Sequence, residues 1–310
     1  MRVALAAIAG AGAAGPFPVV GIFSAPSSST VPECGGNCEY IAASYIKYVE
    51  SAGARAIPIS YYSTNEEIDA VVDQVNGILF PGGGADIPDA AQRIVDNALH
   101  KAEEGGYFPV WGTCLGFEWL VQAVGGKSAL QGGFDAENIT LPLDFTDAGK
   151  ASRLYHDAEA RQLLASKPVT MNNHQSGIEP TSFASNTKLA GTFDVLSTNK
   201  DRKGRSFVSS IEGKTAPIYG AQYHPEKNLF EWGTSQDGTP YEVIQHTPEA
   251  VQAAQALINF FINETRKNSN VYDLTQKDRF FEARPTDLDM APEFVQVYHL
   301  FPKRQEALLV

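Results

Sequence analysis

Tyr107-Phe108-Pro109-Val110-Trp111-Gly112-Thr113-Cys114-Leu115-Gly116-Phe117-Glu118-Trp119-Leu120-Val121-Gln122-Ala123-Val124-Gly125-Gly126 sets an extended apolar run, a turn flanked by glycines and a helical run end to end. Tyr107 to Trp111 reads as a strand, and Phe117 to Val124 as a helix that stops at Gly125-Gly126. Between them, Gly112-Thr113-Cys114-Leu115-Gly116 has the spacing of a nucleophile elbow with cysteine at its tip. A turn this sharp crowds the backbone on both sides of the tip, which gives Gly112 and Gly116 a steric reason to lack Cβ. Cys114 then lies beside the first turn of a helix, where unpaired N–H groups and the helix dipole favour a thiolate. A buried structural cysteine is the alternative for a G-x-C-x-G taken alone.

Working outward toward the N-terminus, strand and helix alternate. Val19 to Phe23, Ala56 to Ser60 and Gly77 to Phe80 read as strands, whereas Glu39 to Ser51, Glu66 to Val75 and Asp89 to Glu104 carry apolar residues at helical spacing. Parallel neighbours need crossover connections, so this order predicts an α/β fold with a mostly parallel central sheet and helices on both faces. Active sites of such sheets gather at the carboxyl ends of the strands, where both Gly112–Gly116 and Pro81-Gly82-Gly83-Gly84 fall. Toward the C-terminus, Ser206 to Ile211 and Ala216 to Gln222 read as adjacent strands. Pro248 to Lys267 reads as a long helix with Val251, Ala254, Ile258, Phe261 and Ile262 on one side. Phe294 to Phe301 is either an edge strand or a segment wrapped over the core. Nothing in the pattern divides residues 16–310, which are expected to form one domain.

The first residues differ in kind. Arg2, the apolar Val3 to Ala9 and the small residues from Gly10 to Gly15 read as a short secretory signal over residues 1–15, cleaved near Ala11-Gly12-Ala13. The sequons Asn138-Ile139-Thr140 and Asn263-Glu264-Thr265 suit that route. Among 310 residues the formal net charge is −12, which argues against general affinity for nucleic acid or an anionic membrane surface. With three cysteines, pairing of Cys34 with Cys38 would leave Cys114 free. Their C-x-x-x-C spacing ranks as a disulfide or two inert thiols ahead of a metal site, because no second pair of ligands lies near.

A catalytic thiol needs a base, and of six histidines His224 is the best placed. It follows a strand and opens His224-Pro225-Glu226, where a carboxylate can orient the imidazole and stabilise its protonated form. The competing reading of that tripeptide is a surface turn with an ordinary ion pair. His100, His156, His246 and His299 stand in amphipathic or polar runs and are set aside. His174, in Asn172-Asn173-His174-Gln175, suits either a substrate-facing loop or a plain turn. Gly82-Gly83-Gly84 lacks the lysine and the spacing of a nucleotide-binding loop. Either it supplies a backbone N–H near Gly83 that joins the N–H of Leu115 in an oxyanion hole, or it is only a tight turn. Glu118, one helical turn after Cys114, meets a substrate amine or solvates the helix end.

Phe80-Pro81-Gly82-Gly83, Gly112 to Gly116 and His224-Pro225-Glu226, in that order, resemble the class I glutamine amidotransferase-like superfamily, whose fold is flavodoxin-like. Within it, Tyr40-Ile41-Ala42-Ala43-Ser44-Tyr45, Glu50 to Arg55, Gly77 to Gly83, Gly112 to Glu118 and Gln222 to Asn228 resemble the γ-glutamyl hydrolases, over roughly residues 18–268. The resemblance implies a secreted or lysosomal/vacuolar cysteine peptidase that hydrolyses folylpoly-γ-glutamates without cofactor or metal, and it admits a homodimer. It implies Cys114 as nucleophile, His224 as base, Glu226 as third triad member and His174 as a further active-site histidine, with Tyr40 and Glu118 toward substrate. The Ser27–Cys38 loop has no matching counterpart in that family, a departure that bears on substrate access more than on chemistry. Two rivals remain: a glutamine amidase feeding ammonia to a partner, and a catalytically silent binding protein on the same scaffold.

Overall fold

The apolar runs in the first half of the chain are short and bounded by turn residues, and each becomes a strand whose alternate side chains serve two cores. In the computed structural model, which describes residues 17–27, 38–276, 279–281, 288–289 and 294–300, eight strands form the main sheet. From edge to edge they run Arg55–Ile59, Val19–Phe23, Gly77–Phe80, Val110–Thr113, Ile218–Ala221, Ser206–Gly213, Phe193–Lys200 and Asp144–Phe145. The first five are mutually parallel and the last three antiparallel, so the sheet is mixed but parallel where the βα alternation was read.

Alternation of side chains across the pleat splits the interior in two. Val19, Phe23, Ile57, Ile78, Phe80, Val110 and Ile218 point to one face, where helices Asn65–Val72, Asp89–Glu103 and Leu115–Gly125 cover them. Val20, Ile22, Leu79, Trp111, Tyr219 and Ala221 point to the other, beneath helices Ala43–Ser51, Ala158–Ser166 and Pro248–Thr265. Helix starts follow capping chemistry. Thr64 and Glu67 form a capping box, and Thr247 caps a helix whose first residue is Pro248.

Register brings the functional strand ends level. Phe80 stands opposite Gly112, and Ala221 opposite Thr113, so Pro81, Cys114 and Gln222 leave the sheet side by side. The helix after Cys114 is pinned by Trp119, whose ring meets Phe23 at 5.6 Å and Phe80 at 5.7 Å edge to face. Each such pair contributes about 0.5–1.5 kcal/mol beyond the area it buries.

Several expectations shift. Glu39–Ala42 is a strand, and the helix begins only at Ala43. The strand pairs with Val297–Leu300, which is neither an edge of the main sheet nor a loose wrap but an inner strand of a second, four-stranded sheet. The strand before Cys114 is Val110–Thr113, later than Tyr107–Trp111, because Pro109 has no N–H for the ladder and pairing starts beyond it. Its helix starts at Leu115, immediately after the turn. On the last long helix Val251 is exposed, and Ala250, Ala253 and Leu257 join Ala254, Ile258, Phe261 and Ile262 in the core.

Cys38 is disulfide-bonded and Cys114 is a free thiol, so Cys38 is not a metal ligand. The signal reading over residues 1–15, and most of the Ser27–Cys38 loop including Cys34, lie outside the described residues. No helix among the described residues is long and apolar enough to cross a membrane.

Candidate active site

Cys114 is held at the end of its strand with φ 51° and ψ −104°, a conformation that costs a non-glycine residue energy and persists only where the surroundings enforce it. They do so through the backbone. Cys114 N–H donates to the Ala221 carbonyl at 2.8 Å, Gly116 N–H to the Pro81 carbonyl at 3.0 Å, and Glu118 N–H to the Cys114 carbonyl at 2.9 Å. A Cβ on Gly112 would lie 2.5 Å from the Gly116 oxygen, and one on Gly116 would lie 2.3 Å from the Phe80 oxygen. The elbow therefore tolerates only glycine at both positions. The sulfur is left beside a helix N-terminus, buried apart from a small exposed fraction.

His224 reaches the same point from the neighbouring strand. Its N–H donates to the Met171 carbonyl at 2.8 Å, and its Nδ1 lies 2.8 Å from Glu226 Oε1 and 3.3 Å from the Tyr45 hydroxyl. The charge of Cys114 also acts on the ring. With Nδ1 committed to Glu226, Nε2 is the nitrogen left to exchange a proton with the thiol. Burial works against a charged imidazole here, but the charges of Cys114 and Glu226 outweigh it and hold His224 at about 10. The surface-turn reading of His224-Pro225-Glu226 does not hold, since both ionisable residues are buried.

The other expected positions surround this pair. His174 ends the strand Thr170–His174, which pairs with Ala136–Leu141. Its Nδ1 lies 2.7 Å from the Ser176 carbonyl, and its ring is set edge to face on Phe207. Burial, reinforced by the charge of His224, brings it down to about 4, so it is neutral at ordinary pH. His174 Nε2 has no hydrogen-bond partner among the described residues. Glu118 does not solvate the helix end. It points inward, accepts from Gln222 Nε2 at 3.2 Å, and is pushed by burial up to about 7.

Gly83, with φ 154°, faces Leu115. A Cβ there would lie 3.5 Å from Leu115 Cδ2 and 3.2 Å from the Tyr40 hydroxyl. Leu115 heads its helix, where no helical carbonyl precedes it to accept its N–H. Tyr40 thus stands over the same backbone turn, with its ring 6.0 Å from that of Phe294.

Two neighbours were not singled out from the sequence. Gln222 is fully buried, with Nε2 4.0 Å from Cys114 Sγ as well as bonded to Glu118. Tyr45 accepts from Gly82 N–H at 2.7 Å and contacts His224, so its hydroxyl ties the glycine turn to the imidazole. Tyr45 lies on the buried stripe of its helix, where a core tyrosine gives the same pattern. Gln222 is the residue directly after a buried strand, and its position beside His224 was the one available signal. His100 and His156 are exposed, and His246 is stacked on Trp232.

The site thus combines a strained thiol and an imidazole pinned by a carboxylate beside a glycine turn that packs on Leu115, an arrangement capable of acyl transfer. The Glutamine amidotransferase class-I family matches residues 37–236. The chain is 38% identical over 292 residues to Gamma-glutamyl hydrolase B of Dictyostelium discoideum, covering 91% of this chain and 82% of that protein. Gamma-glutamyl hydrolase of Homo sapiens is 39% identical over 260 residues, with 82% and 79% covered. Gamma-glutamyl hydrolase 1 of Arabidopsis thaliana is 34% identical over 261 residues, with 82% and 73% covered.

Proposed function

The chain belongs to the γ-glutamyl hydrolase family, and we propose that it cleaves the γ-glutamyl bonds of folylpoly-γ-glutamates through Cys114. The observation that carries the reading is a free, backbone-strained Cys114 at one strand end, with a buried imidazole at the neighbouring strand end whose Nδ1 is fixed at 2.8 Å by a buried carboxylate.

A protonated His224 supplies the countercharge for a Cys114 thiolate, which attacks the γ-carbonyl carbon. The carbonyl oxygen becomes an oxyanion, held by the N–H groups of Gly83 and Leu115. Collapse of the tetrahedral species breaks the C–N bond, and His224 delivers its proton to the departing glutamate nitrogen. A thioester remains on Cys114. Neutral His224 then takes a proton from water, hydroxide adds to the thioester carbonyl, and collapse releases the γ-carboxyl product and the thiolate. Glu226 orients His224 throughout. Glu118 and Tyr40 line the approach to the sulfur, and neutral His174 offers Nε2 to the bound chain.

A secreted or lysosomal/vacuolar location is part of the proposal. It is supported by the disulfide-bonded Cys38, which suits an oxidising compartment, and by exposure of Asn138 and Asn263 in the two sequons. N-terminal sequencing of protein recovered outside the cytosol checks it, with a first residue near Ala14 expected. The homodimer that the resemblance admits is tested by the sedimentation mass.

Purified protein should release glutamate or short γ-glutamyl chains from pteroylpentaglutamate and leave free glutamine intact, as followed by chromatography. Cys114→Ala should lose this activity by at least about a thousandfold while remaining folded. A wild-type protein that leaves pteroylpentaglutamate uncut overturns the proposal. Preferential deamidation of glutamine would replace it with an amidase.

A further inference from the structure

Residues 231–247 run as irregular chain from the end of the short helix Lys227–Phe230 to the N-cap of helix Pro248–Thr265. One carboxylate of this segment turns back on the site. Glu242 receives Lys227 Nζ at 2.6 and 2.5 Å on its two oxygens, and Asn173 Nδ2 at 2.8 Å. The neighbouring Val243 N–H donates to Asn138 Oδ1 at 2.7 Å. Lys227 directly follows Glu226, and Asn173 directly precedes His174, so this carboxylate is gripped by residues three positions after one site histidine and one position before the other.

Both side chains of the ion pair are shielded, Lys227 at 5% and Glu242 at 13% exposure. Their backbones differ: Lys227 opens a short helix, whereas Glu242 lies in the irregular segment between Tyr241 and Val243, which are 48% and 47% exposed. Moving a lone ammonium into a protein is costly, and pairing it with a carboxylate offsets that cost without much net gain. Fold stability alone therefore gives Lys227 little reason to be buried here. An ammonium and an amide N–H converging on one carboxylate are, however, the means by which a carboxylate ligand is held.

The proposed substrate supplies such a ligand. Each γ-linked glutamyl unit keeps its α-carboxylate free, so a carboxylate lies close on either side of the scissile amide. Behind the sulfur the protein presents two buried carboxyls, Glu118 through Gln222 and Glu226 through His224, and a polyanionic chain approaching them is favoured by a cation. The charge of Lys227 acts on His224, which puts it within electrostatic reach of the reacting atoms.

We propose that Lys227 and Asn173 form a carboxylate subsite for the γ-glutamyl chain, and that Glu242 occupies it as an internal stand-in which the substrate displaces. The inference rests on the γ-glutamyl hydrolase reading and deepens it by naming a specificity residue and a self-inhibitory contact. It predicts the opposite sign from a structural staple. If Glu242 only pins the loop, its loss loosens the site and weakens binding. If Glu242 competes with substrate, its loss strengthens binding.

The test is calorimetric titration of the Cys114→Ala protein, with and without Glu242→Gln, using tetra-γ-glutamate and its α-carboxamide counterpart. Glu242→Gln should tighten binding of the carboxylate chain by about tenfold, the effect of removing a competing charged hydrogen-bond acceptor, and should leave the carboxamide chain unchanged. Lys227→Met should weaken the carboxylate chain by a similar factor. Should that variant not fold, Glu242→Gln decides alone: unchanged or weaker binding of the carboxylate chain overturns the subsite. Failure of the hydrolase reading is seen separately, as wild-type protein that does not cut pteroylpentaglutamate.

Discussion

The same parallel strands carry a buried glutamate at each end, and the two ends are finished differently. At the amino end, Glu264 accepts from the Tyr107 and Tyr219 hydroxyls on one oxygen and pairs with Lys267 on the other. Asn76 and Asn268 tie off the backbone nearby, with Val19 N–H donating to Asn76 Oδ1 at 2.8 Å and Asn268 Nδ2 donating to the Tyr107 carbonyl at 2.8 Å. Burial pushes Glu264 up, yet the hydrogen bonds from Lys267, Tyr107 and Tyr219 outweigh it and hold the carboxyl below its ordinary range. At the carboxyl end, Glu226 spends one oxygen on His224, while Glu226 Oε2, Gln222 Oε1 and His174 Nε2 have no hydrogen-bond partner among the described residues. Buried polar atoms are normally satisfied, so the contrast separates a structural knot from a site built to receive further groups.

The largest test of this contrast is at His224. His224→Asn should lower kcat for pteroylpentaglutamate by about a thousandfold, within the range for loss of a general acid–base. Glu264→Ala should act on stability and not on turnover. It should cost about 3 to 4 kcal/mol in urea unfolding, since it leaves two phenols and an ammonium without their acceptor, and should leave kcat/KM within about a factor of two. A Glu264 variant that is inactive but stable would break the distinction between the two ends.

The smallest effect is a pH dependence at His174. Its folded value of about 4 lies below the ordinary 6.5, so the fold keeps it neutral while the unfolded chain takes up a proton. The stability this group contributes is present above pH 6.5 and is lost as pH falls through 4. At about 1.4 kcal/mol per unit, the loss spread across that window has a ceiling of about 3.5 kcal/mol. Relative to wild type, His174→Gln should show a flatter stability curve between pH 6.5 and 4, measured by chemical denaturation at each pH.

How much of this was legible in the sequence depends on the range of the interaction involved. Gly112 and Gly116 could be read because their reason is local and steric, and the distances of 2.5 and 2.3 Å for absent Cβ atoms state it in numbers. The strands through Gly77–Phe80 and Ile218–Ala221 could be read because burial on both faces leaves a short, wholly apolar run. Glu39–Ala42 was misread as helix because its pattern continues into that of the real helix. The partner that makes it a strand, Val297–Leu300, lies more than two hundred residues away. Gln222 and Tyr45 were missed for a related reason, since each acts through one polar atom reaching a residue brought near only by the fold.

Gly116 has a consequence beyond the turn it permits. Because a side chain there would strike the Phe80 carbonyl, the helix that follows Cys114 is seated directly on the neighbouring strand, backbone to backbone, and Gly116 N–H bonds the Pro81 carbonyl across the same seam. The thiol and the Gly82–Gly83 turn are thereby two edges of one rigid piece, with no side chain at that seam to set their spacing. Substitutions elsewhere in the core can repack without resizing the gap between Cys114 and the Gly82–Gly83 turn. Changes of substrate preference are thus left to side chains that lean over the seam from outside it, such as Tyr40 and the 231–247 segment, so that the chemistry and the choice of what undergoes it can change independently.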